Sequence, residues 1–503
     1  MQTFRVSVVA AAFVVAVTLV GRAADAISAP DAELQYQLGN LLFEDTRYQD
    51  ALAAYDKATK STDRRLALRA RKGKIRTALV VAEFALAREE AAQLRLDAPD
   101  DVDVLTLSAD ALWASGQFDE ADQLYADVFE RSPTSSRARF GMARSLATVN
   151  RLDEALSHAQ VASAAAPRDG EIHFQIGDIY QRMHLYQEAA NAYANFINLL
   201  PKKNNNSQAA WSRAEVTFLR AFEGQQPIEI DPALLEKRHT MPFKLVKGKV
   251  MVEGKINGGR AMEFVLDTGS EETNISEDTA RKLGVRPITY TLSAGVGDVG
   301  LRGLQLGKLD TLELGSLKVS NVPVLIKSPG LTGLPKREND SLSPLALGLS
   351  VSIDYRNRLV TMGKSIPPSG REDFTLPMRI NRLALVRGML NNKRPANFVV
   401  DTGGEVISIS TTVAASLDTP IARHIPLKVF GVSGWDKDAF LMPGVDLAFN
   451  DLEFLNMPLV VLNLRVPSAL LGFEVGGIVG YRFLSSYHVT MDMARSELRL
   501  RRN

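Results

Sequence analysis

Two aspartates in this 503-residue chain stand in nearly the same surroundings, Phe264-Val-Leu-Asp267-Thr268-Gly269-Ser270 and Phe398-Val-Val-Asp401-Thr402-Gly403-Gly404. Each closes an apolar strand-like run and opens a turn. Glycine two places on lets the backbone turn tightly and bring N–H groups to the carboxylate. Two carboxylates held close together cannot both ionise, so one keeps a proton and the pair titrates jointly. The charged member can deprotonate a water, and the protonated member can donate to a carbonyl under attack. Such chemistry needs no metal or organic cofactor. At average usage Asp-Thr-Gly is expected about 0.1 times by chance in a chain of this length. Two copies, each after an apolar strand, are therefore a signal.

The elements that must position the aspartates are themselves duplicated. With Asp267 laid over Asp401, Gly254 and Gly388 each lie thirteen residues upstream, and the hairpin turns Asn257-Gly258 and Asn391-Asn392 coincide. Met241-Pro242-Phe243 matches Leu376-Pro377-Met378 to within one residue, and Ile353-Asp354-Tyr355 pairs with Met491-Asp492-Met493. Short β-branched runs separated by Asn, Gly and Pro signals read as an all-β domain.

Each copy resembles a bacterial retropepsin-like aspartic-protease lobe, and the pair in one chain is similar to the bilobal pepsin-like arrangement. The resemblance covers roughly residues 241 to 503. It implies a peptide-bond hydrolase with Asp267 and Asp401 as catalytic residues and Thr268, Gly269, Ser270, Thr402 and Gly403 supporting the catalytic loops, the threonine hydroxyls locking the loops together. It implies substrate-binding flaps at Gly295-Val296-Gly297 and Gly431-Val432-Ser433-Gly434, and backing segments at Ala346-Leu347-Gly348 and Ile478-Val479-Gly480. The string Gly295 to Gly300 also fits a dinucleotide fingerprint, but no helix pattern follows it.

Two departures bear on activity. Ser270 has Gly404 as its counterpart; were Ser270 to bond Asp267, the charged form of Asp267 would be favoured and Asp401 would hold the proton. Gly348 to Asp354 spans six residues where Gly480 to Asp492 spans twelve, so the first lobe is expected to lack the helical turn at Arg482 to Tyr487. The alternative reading is accordingly a catalytically inactive peptide-binding scaffold. Asp354 and Asp492, each beside a basic turn, read as turn or ion-pair acids, and Trp435 as packing or substrate contact.

Ahead of these lobes Pro99, Pro133, Pro167 and Pro201 recur every 34 residues, each preceded by twelve residues by Ala87, Ala121, Ala155 and Ala189. That period resembles the tetratricopeptide family, about five repeats over residues 32 to 201 with a two-residue irregularity near the start and a closing helix at Gln208 to Phe222. Such solenoids form extended binding surfaces, so a protein partner or substrate is expected on this arm. Arg5, the apolar run Val8 to Val20 and Ala24-Asp25-Ala26 read as a cleaved export signal, placing the mature chain in the periplasm or medium with no membrane span left after cleavage.

Composition agrees: 46% hydrophobic, 23% charged and a net charge of +1 give no case for nucleic acid. The absence of cysteine removes disulfides and thiolate chemistry, and the six histidines show no metal-ligand spacing. The expected architecture is multidomain: a signal peptide at 1–26, an all-α tetratricopeptide solenoid at 32–222, a linker at 223–240, and an all-β two-lobed aspartic-protease-like domain with lobes at 241–363 and 374–503 joined by a linker at 364–373.

Overall fold

The structure, a computed structural model, describes residues 26–201, 206–297, 301–327, 340–417, 424–431 and 433–503. The segment read as an export signal, apart from Ala26, lies outside the described residues. No helix among them is long and apolar enough to cross a membrane.

Five antiparallel helix pairs run from Ala29–Glu44 to Tyr186–Leu199, followed by a closing helix at Ser207–Arg220. First helices of successive pairs are capped by Asp101, Ser135 and Asp169, 34 residues apart, whose side chains accept N–H groups of the opening turn. Second helices start at Phe84, Phe118, Leu152 and Tyr186, each two residues after a backbone of positive φ at Ala82, Gly116, Asn150 and His184. Within a pair, glycine lets an aromatic ring reach the neighbouring backbone: a methyl group on Gly177 would stand 2.6 Å from the Tyr193 ring. This all-α solenoid precedes a region built mostly of strands.

The two β lobes share one plan. In each, the strand ending at the aspartate is flanked by a short parallel strand, and a long hairpin (Arg302–Leu314 with Leu317–Lys327, Phe440–Phe449 with Leu452–Leu462) covers the outside. Asn257 and Asn391, at φ 50° and 48°, each accept an N–H of that hairpin on the side-chain oxygen, from Thr311 at 3.0 Å and Asp446 at 2.9 Å. The lobes join through a continuous antiparallel sheet with Ser350–Asp354 beside Tyr487–Asp492 at its centre, Val351 opposite Met491 and Ile353 opposite Val489. The site is thus completed within one chain. Asp492, fully buried at the end of this sheet, accepts from Arg499, Arg495 and Ser365, while Asp354 accepts from Asn357; both acids organise turns away from the aspartate loops.

The stretch at 223–240 read as a linker is partly lobe: Glu229–Ile230 pairs with Val319 and Ser320, and the first long strand begins at His239. Two residues of pairing are too few for a period-two pattern to register.

The arm does not stand clear of the lobes. Trp113 and Phe118 pack against Phe473 with ring centroids 5.8 and 5.3 Å away, inside one apolar cluster that also holds Leu385, Val399 and Val460. Arg379 and Arg387 of the second lobe meet Asp119, Asp122 and Glu120 at 2.5–2.7 Å, and Arg379 also donates to Thr148. Arg465 pairs with Glu83, and Asn397 donates to the Gly116 carbonyl. At the far end, Phe218, Leu219 and Phe222 cluster with Leu306 of the first lobe. Because Phe473 is fully buried between arm and lobe, Phe473→Ala is expected to destabilise the chain by about 3–5 kcal/mol. Urea unfolding followed by tryptophan fluorescence measures this, and an unmoved midpoint would show that the contact adds nothing.

Candidate active site

The site forms where two strand ends meet. Met262–Leu266 leads into Asp267 with Leu266 opposite Leu342, and Arg394–Val400 leads into Asp401 with Val400 opposite Val479. The backing strands fix both backbones: Asp267 N–H donates to Leu342 O at 2.8 Å, and Asp401 N–H to Val479 O at 3.0 Å.

Thr268 and Thr402 are buried and brace the loops crosswise. The N–H of each donates to the hydroxyl of the other at 3.1 Å, and each hydroxyl donates at 2.7 Å to the carbonyl preceding the opposite aspartate, Val400 or Leu266. A methyl group on Gly269 would stand 2.3 Å from Asp401 Cγ, and one on Gly403 2.5 Å from Asp267 Oδ1. Each carboxylate therefore lies on the other loop, an approach only glycine permits. Gly269 N–H donates to Asp267 Oδ1 at 3.1 Å; Gly403 and Gly404 N–H groups both donate to Asp401 Oδ1 at 2.8 Å. Loss of water pushes Asp401 up to about 7, and the charge of Asp267 adds to this; Lys249 and the two N–H donors act in the opposite direction without cancelling it. Asp401 therefore keeps its proton towards neutral pH.

Ser270 has another task than the one expected from sequence. Its hydroxyl donates to Glu272 O at 2.8 Å and accepts from Asn274 at 2.6 Å. Gly404 is likewise no loss, because a Cβ there would stand 2.7 Å from Asp401 Oδ2. Asp401 takes a second backbone donor in place of a hydroxyl.

The backing segment of the first lobe also differs from the expectation. The residues flanking the Asp267 strand are Asp340–Leu342, so Ser343, not Gly348, is the counterpart of Gly480. In the second lobe Tyr481 N–H donates to Gly404 O at 2.9 Å. The matching position of the first lobe is Pro344, which has no N–H. Ser343 supplies the missing donor, its hydroxyl bonding Ser270 O at 2.7 Å. One-turn helices follow in both lobes, Leu345–Leu347 and Tyr481–Leu484, and the distances to the matched acids are eleven and twelve residues. The first lobe keeps its turn. Aligning on glycine misplaced it because Ser343 stands where the second lobe has Gly480.

The two flap segments meet each other. Gly295 N–H donates to Ser433 Oγ at 3.1 Å and Ser433 N–H to Val296 O at 2.9 Å, while a methyl group on Gly431 would stand 2.0 Å from Val296 O. Val432 and residues 298–300 lie outside the described residues. Gly431 and Gly434 border a cavity of ≈ 1020 Å³ that also reaches Asp267, Gly269 and Ser270. Gly295 and Gly297 lie against Ser433, at the tip of the hairpin of Val429–Gly431 with Gly434–Asp436. Trp435 sits with its ring centroid 5.2 Å from Phe430, and it is Phe430 that faces the cavity.

Lys249 escaped sequence reasoning altogether. It lies in the first lobe but donates to Gly403 O in the opposite aspartate loop. Only the contact across lobes identifies it, since a lysine opening a strand carries no motif.

Comparison with known proteins agrees with this geometry. The aspartyl protease family model matches residues 252–351 and 386–483, and a tetratricopeptide repeat model matches residues 112–173. No curated protein matches the chain. Similar solved structures include a thermophilic TPR protein from Thermus thermophilus, at 21% identity over 34% of this chain and 93% of that one with a TM-score of 0.30. Another is YrrB, a TPR protein described as having an unusual peptide-binding site, at 23% identity over 34% and 88% with a TM-score of 0.22.

The crowding at Gly404 gives a direct check. Gly404→Ser is expected to push Asp401 from its N–H donors and lower stability by about 1–3 kcal/mol. Thermal unfolding should show a reduced Tm, whereas a stabilised variant would contradict the crowded geometry.

Proposed function

We propose that this chain, which carries two retropepsin-like aspartyl-protease lobes behind a tetratricopeptide-repeat region, is an exported endopeptidase that cleaves peptide bonds at one intramolecular site. The observation that supports it most is the crossed Thr268/Thr402 bracing, which holds Asp267 and Asp401 face to face with Asp401 raised. In the working state one carboxyl is ionised and one protonated. Asp267 takes a proton from a water lying between the carboxylates, and that water attacks the peptide carbonyl. Asp401 donates its proton to the carbonyl oxygen, and a proton returned from the pair releases the amine. The joined flaps hold the peptide over the pair and limit competing water. The repeat arm forms part of the cleft wall and takes part in choosing the protein substrate. Export rests on the signal-like residues 1–26.

Peptide-library digestion by the mature protein, with and without a pepstatin-type inhibitor, tests the reading. Asp267→Asn and Asp401→Asn are each expected to lower kcat by at least about 10³-fold. Full cleavage by both variants would remove the assignment. Absence of any wild-type cleavage alongside retained peptide binding would make the chain a scaffold.

The sign of the pH dependence follows from the raised carboxyl. As pH rises through about 7, Asp401 loses the proton that the singly protonated pair requires, so kcat/KM falls there. Lys249 holds Asp401 lower than it would otherwise be, so Lys249→Met should move this limb to higher pH. A pH–rate profile checks both, and an unmoved limb would detach Lys249 from the pair.

A further inference from the structure

The cavity that reaches Asp267 is walled on one side by the repeat arm, which contributes Asp178 and Glu215, and on another by Glu271 and Glu272, the residues directly after the first catalytic loop. Carboxyl groups outnumber cations along this space, seven of them with Asp267 included against Arg182, Lys282, Lys327 and Arg382. Arg382 pairs with Glu271, donates to Leu470 O at 3.2 Å and lies 4.8 Å from the Trp211 ring centroid. Arg182 donates to Asn150 at 3.3 Å. Glu215 accepts from the Gln181 amide at 2.7 Å. Among the described residues no side chain donates a hydrogen bond to Asp178 or Glu272. Burial raises Glu272 well above the usual carboxyl range, with Glu215 and Glu271 adding repulsion, and His184 beside them is kept towards its neutral form by burial.

A second observation points the same way. Thr291 and Ser341, only 7% and 4% exposed, line this cavity, and the hydroxyl oxygens of both have no hydrogen-bond partner among the described residues. Buried hydroxyls left unpaired are costly unless a polar group enters to meet them, and each offers lone pairs to an incoming N–H.

We propose that this cavity is a subsite for a positively charged side chain, Lys or Arg, of the peptide to be cut, with Glu272 accepting directly from the cation and Asp178 and Glu215 of the arm completing the carboxyl cluster that faces it. The inference rests on the proteolytic reading for the identity of the ligand as a peptide. It gives the arm a defined role: two of the three acids that select the substrate come from the solenoid.

The test separates the two claims by reading binding and cleavage independently. N-acetylated fluorescent decapeptides carry one Lys walked through every position, beside a norleucine series, and are titrated into full-length Asp267→Asn protein by anisotropy. Lys at one position is expected to bind about tenfold or more tighter than norleucine. Glu272→Gln in the same background should remove that preference, Asp178→Asn should weaken it, and Glu272→Lys should shift preference to a Glu-containing peptide. Equal binding of both series, or a preference that survives Glu272→Gln and Asp178→Asn together, overturns the subsite. Cleavage of the same peptides by wild-type protein reports on the other claim: a Glu272-dependent preference in binding with no peptide ever cut upholds the subsite and fails the protease.

Discussion

Everything in the β region serves to hold two carboxyl groups where electrostatics would separate them. Face-to-face carboxylates repel, and removal from water raises the cost of charging either one. The answer in this chain is bracing rather than neutralisation. Each threonine hydroxyl both accepts from the opposite loop and donates to it, so neither loop can withdraw without leaving buried N–H and C=O groups unpaired. The continuous sheet between the lobes then fixes the distance over which that bracing acts. Lys249, reaching across from one lobe to the loop of the other, ties the backbone as well as tempering the charge.

Duplication supplies this symmetry, and divergence has been absorbed by exchanging donors. Where one lobe uses a tyrosine N–H to hold the aspartate loop, the other has Pro344 and uses the Ser343 hydroxyl. Where one loop has Ser270, whose hydroxyl is spent inside its own turn, the other has Gly404 and a further backbone N–H on the carboxylate. Neither change removes a hydrogen bond from the frame. The two aspartates nonetheless receive different fields: Asp401 has two N–H donors against one, and it is burial, opposed by those donors, that raises it.

How much of this was legible from sequence depended on whether a signal was local. Asp267 and Asp401 announce themselves because strand, turn and glycine follow in order, and the 34-residue recurrence of Ala and Pro exposes the solenoid. The flaps were legible as glycine clusters, but their meeting was not, since Gly295 and Ser433 are 138 residues apart. The backing strand of the first lobe was misplaced because backbone pairing, which identifies Asp340–Leu342, leaves no imprint on residue type once a hydroxyl can replace an N–H. Glu271 and Glu272 belong to no sequence motif. Burial under the arm gives them meaning, and a sequence does not reveal what covers a turn.

The arm shows how periodicity becomes position. The positive-φ residues Ala82, Gly116, Asn150 and His184 recur every 34 residues, so they fall along one edge of the solenoid. That edge meets the lobes: Glu83 binds Arg465, Gly116 receives Asn397, and Asn150 and His184 border the cavity. Repeat stacking thus delivers a row of similar turns, and substitution within each turn assigns it a separate task, ion pair, backbone acceptor or cavity wall. The end of the row nearest Asp267 carries the acids, while the earlier turns carry the apolar and ionic docking contacts. An arm docked by its early repeats can hold Asp178 and Glu215 rigidly at the cavity that reaches Asp267, and rigidity is what the proposed charge selection requires.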